Sequence, residues 1–248
     1  MVNSRGIYLL IAGIRVLLCD AETGVVPNGA AITNRQLLLP LLKQGQAIQV
    51  HDCVMQTASC ECMLKLQPVP DDRSVAVPSR EGLQYIAALL RGRSAVTGLA
   101  PLVHTEDLNP CCAIARPCVK ALLESLAAAD IAGIQENTAS LLGLGPGLTP
   151  SGDDVLSGLL YGLRHSPMRD TPACAALTRS IQALAPERTN GVSADYLLAL
   201  TADAPFAKMS DAWQDPVQNA GALLCVGSNS GSEMLLGLLL AGKLLDRI

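Results

Sequence analysis

Two stretches of the chain gather glycines, hydroxyls and carboxylates at helix entries, the residue types that hold small anions and amides. The first is Gly143-Leu144-Gly145-Pro146-Gly147-Leu148-Thr149-Pro150-Ser151-Gly152-Asp153-Asp154. Glycines on alternate positions let the backbone turn its amides inward and approach a ligand closely. Thr149 reads as a helix cap and Pro150 as the first helical residue, so helix-terminal N–H groups and a helix dipole face an anion. Asp153 and Asp154 in the first turn support the helix through its dipole, bind a divalent cation such as Mg²⁺, or accept from an amide NH₂. A plain connector with glycines for packing is the competing account. The lysine and spacing of a phosphate-binding Walker loop are absent.

The second stretch is Gly227-Ser228-Asn229-Ser230-Gly231-Ser232-Glu233. Ser230 and Glu233 have the spacing of a capping box. Capping leaves the cluster Ser228, Asn229 and Ser230 unexplained, and such donors suit a carboxylate or phosphate oxygen. Between the two stretches, Thr189 and Ser193 stand four apart and share a helix face, as pocket wall or as a cap and a solvated hydroxyl. His51, His104 and His165 adjoin no glycine-flanked serine, and no Gly-x-Ser-x-Gly elbow occurs. Binding and positioning of a small polar substrate is therefore favoured over covalent catalysis.

The elements that must position these loops change character along the chain. Residues 7 to about 68 carry strand patterns broken by turn signals at Ala21–Gly24 and Pro27–Gly29, with a short helix at Asn34–Leu42. Gln67–Arg73, with two prolines and a charge cluster, reads as a linker. From Ser79 the period is helical, with helices at Leu83–Leu90, around Ala113–Ala129 and at Ile131–Leu142. The sum is an α+β fold, with a β-rich subdomain over 1–72 and a mostly helical domain over 73–248. No repeat of solenoid period is visible.

Composition bounds the partners. Only six of 248 residues are aromatic, which excludes a base-stacking platform, and a net charge of −4 argues against a grip on phosphate backbones. Arg5 and the apolar run Gly6–Ile14 resemble a leader briefly, but Arg15 interrupts the run, and a first pair of strands is the better reading. Nine cysteines in apolar surroundings read as reduced thiols of a cytoplasmic chain; Cys60-Glu61-Cys62 with Cys111, Cys112 and Cys118 matches no standard zinc spacing. Half the residues are apolar and 16% are charged, which suggests a face covered by a partner subunit or a second copy.

Gly145-Pro146-Gly147-Leu148-Thr149-Pro150-Ser151-Gly152-Asp153-Asp154, followed by Leu156 and Gly158, resembles the signature of a bacterial family. Its best-understood member is AllH, the third subunit of oxamate carbamoyltransferase in anaerobic allantoin (purine) breakdown. Thr189, Ser193 and Tyr196-Leu197, then Gly227, Ser230-Gly231 and Leu235-Leu236-Gly237, resemble two later blocks of that family in the same order. The resemblance covers the C-terminal two-thirds well and the first third loosely. It implies a subunit working with an FdrA-like, acyl-CoA-synthetase-like protein and an AllG-like protein. The implied reaction is carbamoyl exchange, oxalurate plus phosphate giving oxamate plus carbamoyl phosphate. The family often carries His-Thr where this chain has Ser228-Asn229, which leaves open a paralogue with another carbamoyl or acyl acceptor.

The expected site therefore has Asp153 and Asp154 as catalytic residues, and Gly145, Gly147, Thr149, Ser151, Thr189, Ser193, Ser228, Asn229, Ser230 and Gly231 around the substrate. No metal ligand set accompanies them, a cation at the two aspartates being the one candidate. Two other functions stay open, a non-catalytic scaffold subunit of an FdrA-type complex and a metal-dependent amidohydrolase. The loops are expected to converge on one pocket, and Asp153→Asn to abolish transfer with the fold intact.

Overall fold

A computed structural model describes residues 2–3, 6–11, 13–20, 26–32, 42–51, 54–58, 61–63, 76–92, 98–106 and 109–246. The helix expected at Asn34–Leu42 (all but its last residue) and the linker at Gln67–Arg73 lie outside them. The fold is α+β, with strands in the N-terminal part and helices after it.

The strands are β1 (Val2–Asn3), β2 (Gly6–Ile11), β3 (Ile14–Asp20), β4 (Gly29–Ile32), β5 (Gln49–His51), β6 (Val54–Gln56) and β7 (Glu61–Met63). The first four form a sheet in sequence order, antiparallel until β4 joins β3 in parallel, and the last three form an antiparallel sheet. Period-two alternation gives the first sheet two faces. Ile7, Leu9 and Leu18 pack with Leu42 and Met55 in a small cluster of their own. The alternate residues Tyr8, Arg15, Leu17 and Cys19 face a cavity against the helices.

The helices are α1 (Arg80–Arg91), α2 (Pro110–Ala128), α3 (Ile131–Leu141), α4 (Ser151–Arg164), α5 (Pro172–Arg188), α6 (Gly191–Thr201), α7 (Ala207–Gln214), α8 (Pro216–Leu223) and α9 (Ser230–Leu245), with a short 3₁₀ turn at Ala100–Val103. Ser79 caps α1 by accepting from the Gly82 N–H at 3.0 Å, as its position predicts. Pro117 sits inside α2, within an otherwise continuous helix.

Helices α4 and α9 form the centre. Every residue from Ser151 to Leu163 is buried, which is how a helix surrounded by other elements must read. The two helices touch backbone to backbone at Gly158 and Gly237. A Cβ on Gly158 would stand 2.0 Å from the Met234 carbonyl oxygen, and one on Gly237 would stand 2.3 Å from that of Val155. Each glycine stands at the same register after the start of its helix, Ser151 or Ser230. The crossing therefore holds the two helix entries at equal distance from the contact, where both chemistry-bearing stretches lie.

Candidate functional site between two helix-entry loops

The first stretch enters α4 without a side-chain cap. Pro150, and not Thr149, takes the N-cap position, and the Gly152 N–H turns to the Leu144 carbonyl at 2.9 Å. Gly145 and Gly147 have φ of 111° and 108°, a region that side-chain-bearing residues avoid, so glycine is what lets the loop fold back over Ser151. The second stretch also departs from its expected cap. Asn229 takes the N-cap position of α9 without a side-chain capping bond, and Glu233 accepts instead from the Leu99 N–H at 3.0 Å. Freed from capping, Thr149 and Ser230 hydrogen-bond to each other at 2.9 Å. The two loops form one wall.

That wall closes a cavity of about 620 Å³, within the range of small-molecule sites. Gly147, Thr149, Ser151, Ser228, Asn229 and Ser230 line it together with Glu233 and Tyr196. Apolar walls come from Leu17, Val26, Leu148, Val192, Phe206 and Met234. The N-terminal sheet supplies Tyr8 and Arg15, and the turn before β4 supplies Asn28. Asp195 on α6 anchors that side, since its carboxylate accepts from the Arg15 N–H at 3.1 Å and from Arg15 Nη1 at 2.9 Å. Its carbonyl accepts from Asn28 Nδ2 at 3.0 Å.

Asp153, expected to orient an amide or a hydrated cation, has both oxygens occupied by the protein. Oδ1 accepts from the Gly143 N–H at 2.7 Å, and Oδ2 accepts from the hydroxyls of Thr189 and Ser193, the latter at 2.6 Å. It is absent from the cavity wall, as are Thr189 and Ser193. Those two hydroxyls, four residues apart, converge on one buried carboxylate rather than capping a helix or meeting solvent; Asn190 does the capping. Asp153 thus latches the start of the glycine loop to the junction of α5 and α6. Burial still holds its carboxyl above the ordinary range, against the pull of these three donors. Gly145 and Gly231 support the wall from behind it, Gly145 against Ser151 and Gly231 against the Leu223 carbonyl.

Asp154 differs from its neighbour. It is 1% exposed, and its Oδ2 has no hydrogen-bond partner, an expensive state for a buried carboxylate oxygen. Like Asp153 it is absent from the cavity wall, but the groups around it, Thr149, Ser230, Glu233, Tyr196 and Tyr8, all line the cavity. Burial pushes the Asp154 carboxyl well above the carboxylate range and the Glu233 carboxyl adds to this, while the Ser230 and Thr149 hydroxyls oppose it. Glu233 is also raised by burial, against hydrogen bonds from Ser151, Leu99 and Asp154. Both carboxyls are thus held toward their protonated forms, Asp154 the more strongly, and ionised Glu233 makes Asp154 harder still to ionise. Burial also raises Tyr196 and Tyr8, which stay neutral O–H donors.

Glu233, Tyr8, Arg15, Asn28 and Tyr196 were not among the residues expected from sequence. Arg15 did carry a signal, a lone charge in phase with Leu17 and Cys19 on one strand face. Among the described residues no three His, Cys, Asp or Glu side chains gather as a metal site.

These features define an α+β protein whose ligand-sized cavity is walled by two helix-entry loops, with Glu233 in its lining and Asp154 buried beside Glu233. Residues 141–242, which contain both loops, α4 and most of α9, match the family model described as oxamate carbamoyltransferase subunit AllH, and this stretch is AllH-like. No curated protein and no solved structure matches the chain.

Proposed function

We propose that the chain is the AllH-type subunit of a cytoplasmic carbamoyltransferase complex and that its cavity holds the anionic, amide-bearing substrate. Its partners in this reading are FdrA-like and AllG-like subunits, and the reaction exchanges a carbamoyl group between oxalurate with phosphate and oxamate with carbamoyl phosphate. The observation that carries it is the Thr149–Ser230 hydrogen bond, which makes one wall of two loops far apart in sequence.

The chemistry of the wall suits such substrates. The hydroxyls of Thr149, Ser151, Ser228 and Ser230 and the positive ends of two helix dipoles attract carboxylate or phosphate oxygens. Burial holds Glu233 and Asp154 toward their neutral forms, which lessens their repulsion of an anion. Asp154 Oδ2 needs a donor, and an amide N–H₂ is one. The cavity has room for a carbamoyl donor beside its acceptor, and transfer between them gains mainly from orientation and from stabilised developing charge. A cation at Asp153 has no part in this reading, because both oxygens of that residue already accept hydrogen bonds. Among the described residues no helix is long and apolar enough to cross a membrane.

The test is carbamoyl transfer from carbamoyl phosphate to oxamate by the complex of this chain with its FdrA-like and AllG-like partners. Transfer should weaken when Thr149→Val and Ser230→Ala part the two loops. Transfer unchanged by the double substitution would count against a substrate held between them.

A further inference from the structure

The two loop–helix units around the cavity are copies of one element. The pattern Ser-Gly-x-Asp/Glu-x-Leu-x-Gly-Leu-Leu starts at Ser151 and again at Ser230, without a gap. The contacts repeat with the residues. A Cβ on Gly152 would stand 2.0 Å from the carbonyl oxygen of Leu141, the last residue of α3; one on Gly231 would stand 1.9 Å from that of Leu223, the last of α8. Gly158 and Gly237 meet each other, the Cβ position of each within 3.1 Å of the other's Cα. Contact between equivalent residues of two copies is what a local two-fold relation produces. Asp154 and Glu233 occupy the same position in their copies, and they also meet.

We propose that Glu233 is the proton-transfer group of the site and acts with Asp154, its counterpart in the other copy, as one acid pair on the local two-fold. Two observations besides the pairing point to a ligand there. Glu233 lines the cavity, and Asp154 Oδ2 is buried without a partner. The role rests on the carbamoyl-transfer reading. When the acceptor nitrogen attacks the carbamoyl carbon, a C–N bond forms, the carbamoyl C–O bond to phosphate breaks, and the nitrogen must lose a proton. The leaving phosphate oxygen takes one up. Glu233, the member of the pair at the cavity wall, takes the proton from the nitrogen and passes it to the phosphate oxygen while Asp154 beside it keeps its own proton, so the proton count of the pair is unchanged. The titratable groups that face the pair are Asp153 on α4, Tyr196 on α6 and Tyr8 on β2, with Arg15 at the cavity wall.

Glu233→Gln tests this, because the amide oxygen can still accept from the Leu99 N–H and preserve the local fold. In the assembled complex it should lower transfer by about 10²–10⁴-fold, the usual worth of a general acid–base group, while oxamate binding to the chain, by calorimetry, persists. The pH–rate profile should be bell-shaped in the wild type and lose that shape in the variant. Asp154→Asn, which leaves the Glu233–Leu99 contact in place, should show the same loss. Transfer by Glu233→Gln at the wild-type rate, or a loss with an unchanged profile, overturns the pair's role and leaves the carbamoyl-transfer reading standing. A wild-type complex that binds and transfers nothing overturns that reading, and the pair's role with it.

Discussion

Thr149 and Ser230 share a 2.9 Å hydrogen bond across the mouths of α4 and α9, and through it two separate stretches of sequence become one cavity wall. Both hydroxyls stand where a helix cap is expected, yet neither caps. Local capping would satisfy each loop alone, whereas the cross-loop bond couples them. A double-mutant cycle with Thr149→Val and Ser230→Ala should give a coupling of about 0.5–1.5 kcal/mol in unfolding free energy. Additive effects would mean that the bond ties nothing together.

Asp153 is held by three donors, so its replacement acts on stability before chemistry. Asparagine offers one acceptor oxygen, and its NH₂ must face either the Gly143 N–H or the Thr189 and Ser193 hydroxyls. Asp153→Asn should cost about 2–4 kcal/mol, measured by denaturant unfolding, and Ser193→Ala about 1 kcal/mol. The fold-neutral outcome expected from sequence would show that the latch contributes little.

The glycine crossing has no room for a methyl group. Gly158→Ala puts a Cβ against the Met234 carbonyl, and separating the central helices should cost about 1–3 kcal/mol or more. The same shift moves both helix entries, so ligand binding should weaken together with stability. Ala at position 158 with unchanged unfolding would contradict the backbone contact.

Asp153, Asp154 and Glu233 all have folded-state pKa values above their ordinary 3.8 to 4.5. Through the window from those ordinary values up to the raised ones, the native state holds more protons than the unfolded state, so stability falls as pH rises. The melting temperature should therefore be higher in mildly acidic buffer than at neutral pH. Glu233→Gln and Asp154→Asn should each flatten the slope. A melting temperature that drops steadily on acidification through that window, in the wild type as in the variants, would contradict the sign.

Much of this was legible in the sequence. The shift from strand to helix patterning, the Ser79 cap and the two glycine-rich helix entries all follow from local rules, which act over a few residues. The roles of particular side chains did not follow, because long-range geometry decides them. Asp153 and Asp154 are adjacent and chemically alike, yet one is saturated by Gly143, Thr189 and Ser193 while the other faces the cavity lining with an unpartnered oxygen. Glu233 matched a capping box so well that its spacing concealed its pairing with Leu99 and Asp154. Arg15 and Tyr8 joined the site only once strand pairing fixed which face of the first sheet meets the helices.

The central claim is that an anionic amide sits between the two loops. Calorimetric titration of oxamate into the wild-type chain and into Ser228→Asp tests it most directly, since that substitution adds a negative charge to the cavity wall and leaves the buried core alone. The account predicts saturable oxamate binding in the wild type and its loss in the variant, with the melting temperature unchanged. Oxamate binding of equal affinity in both proteins would contradict it.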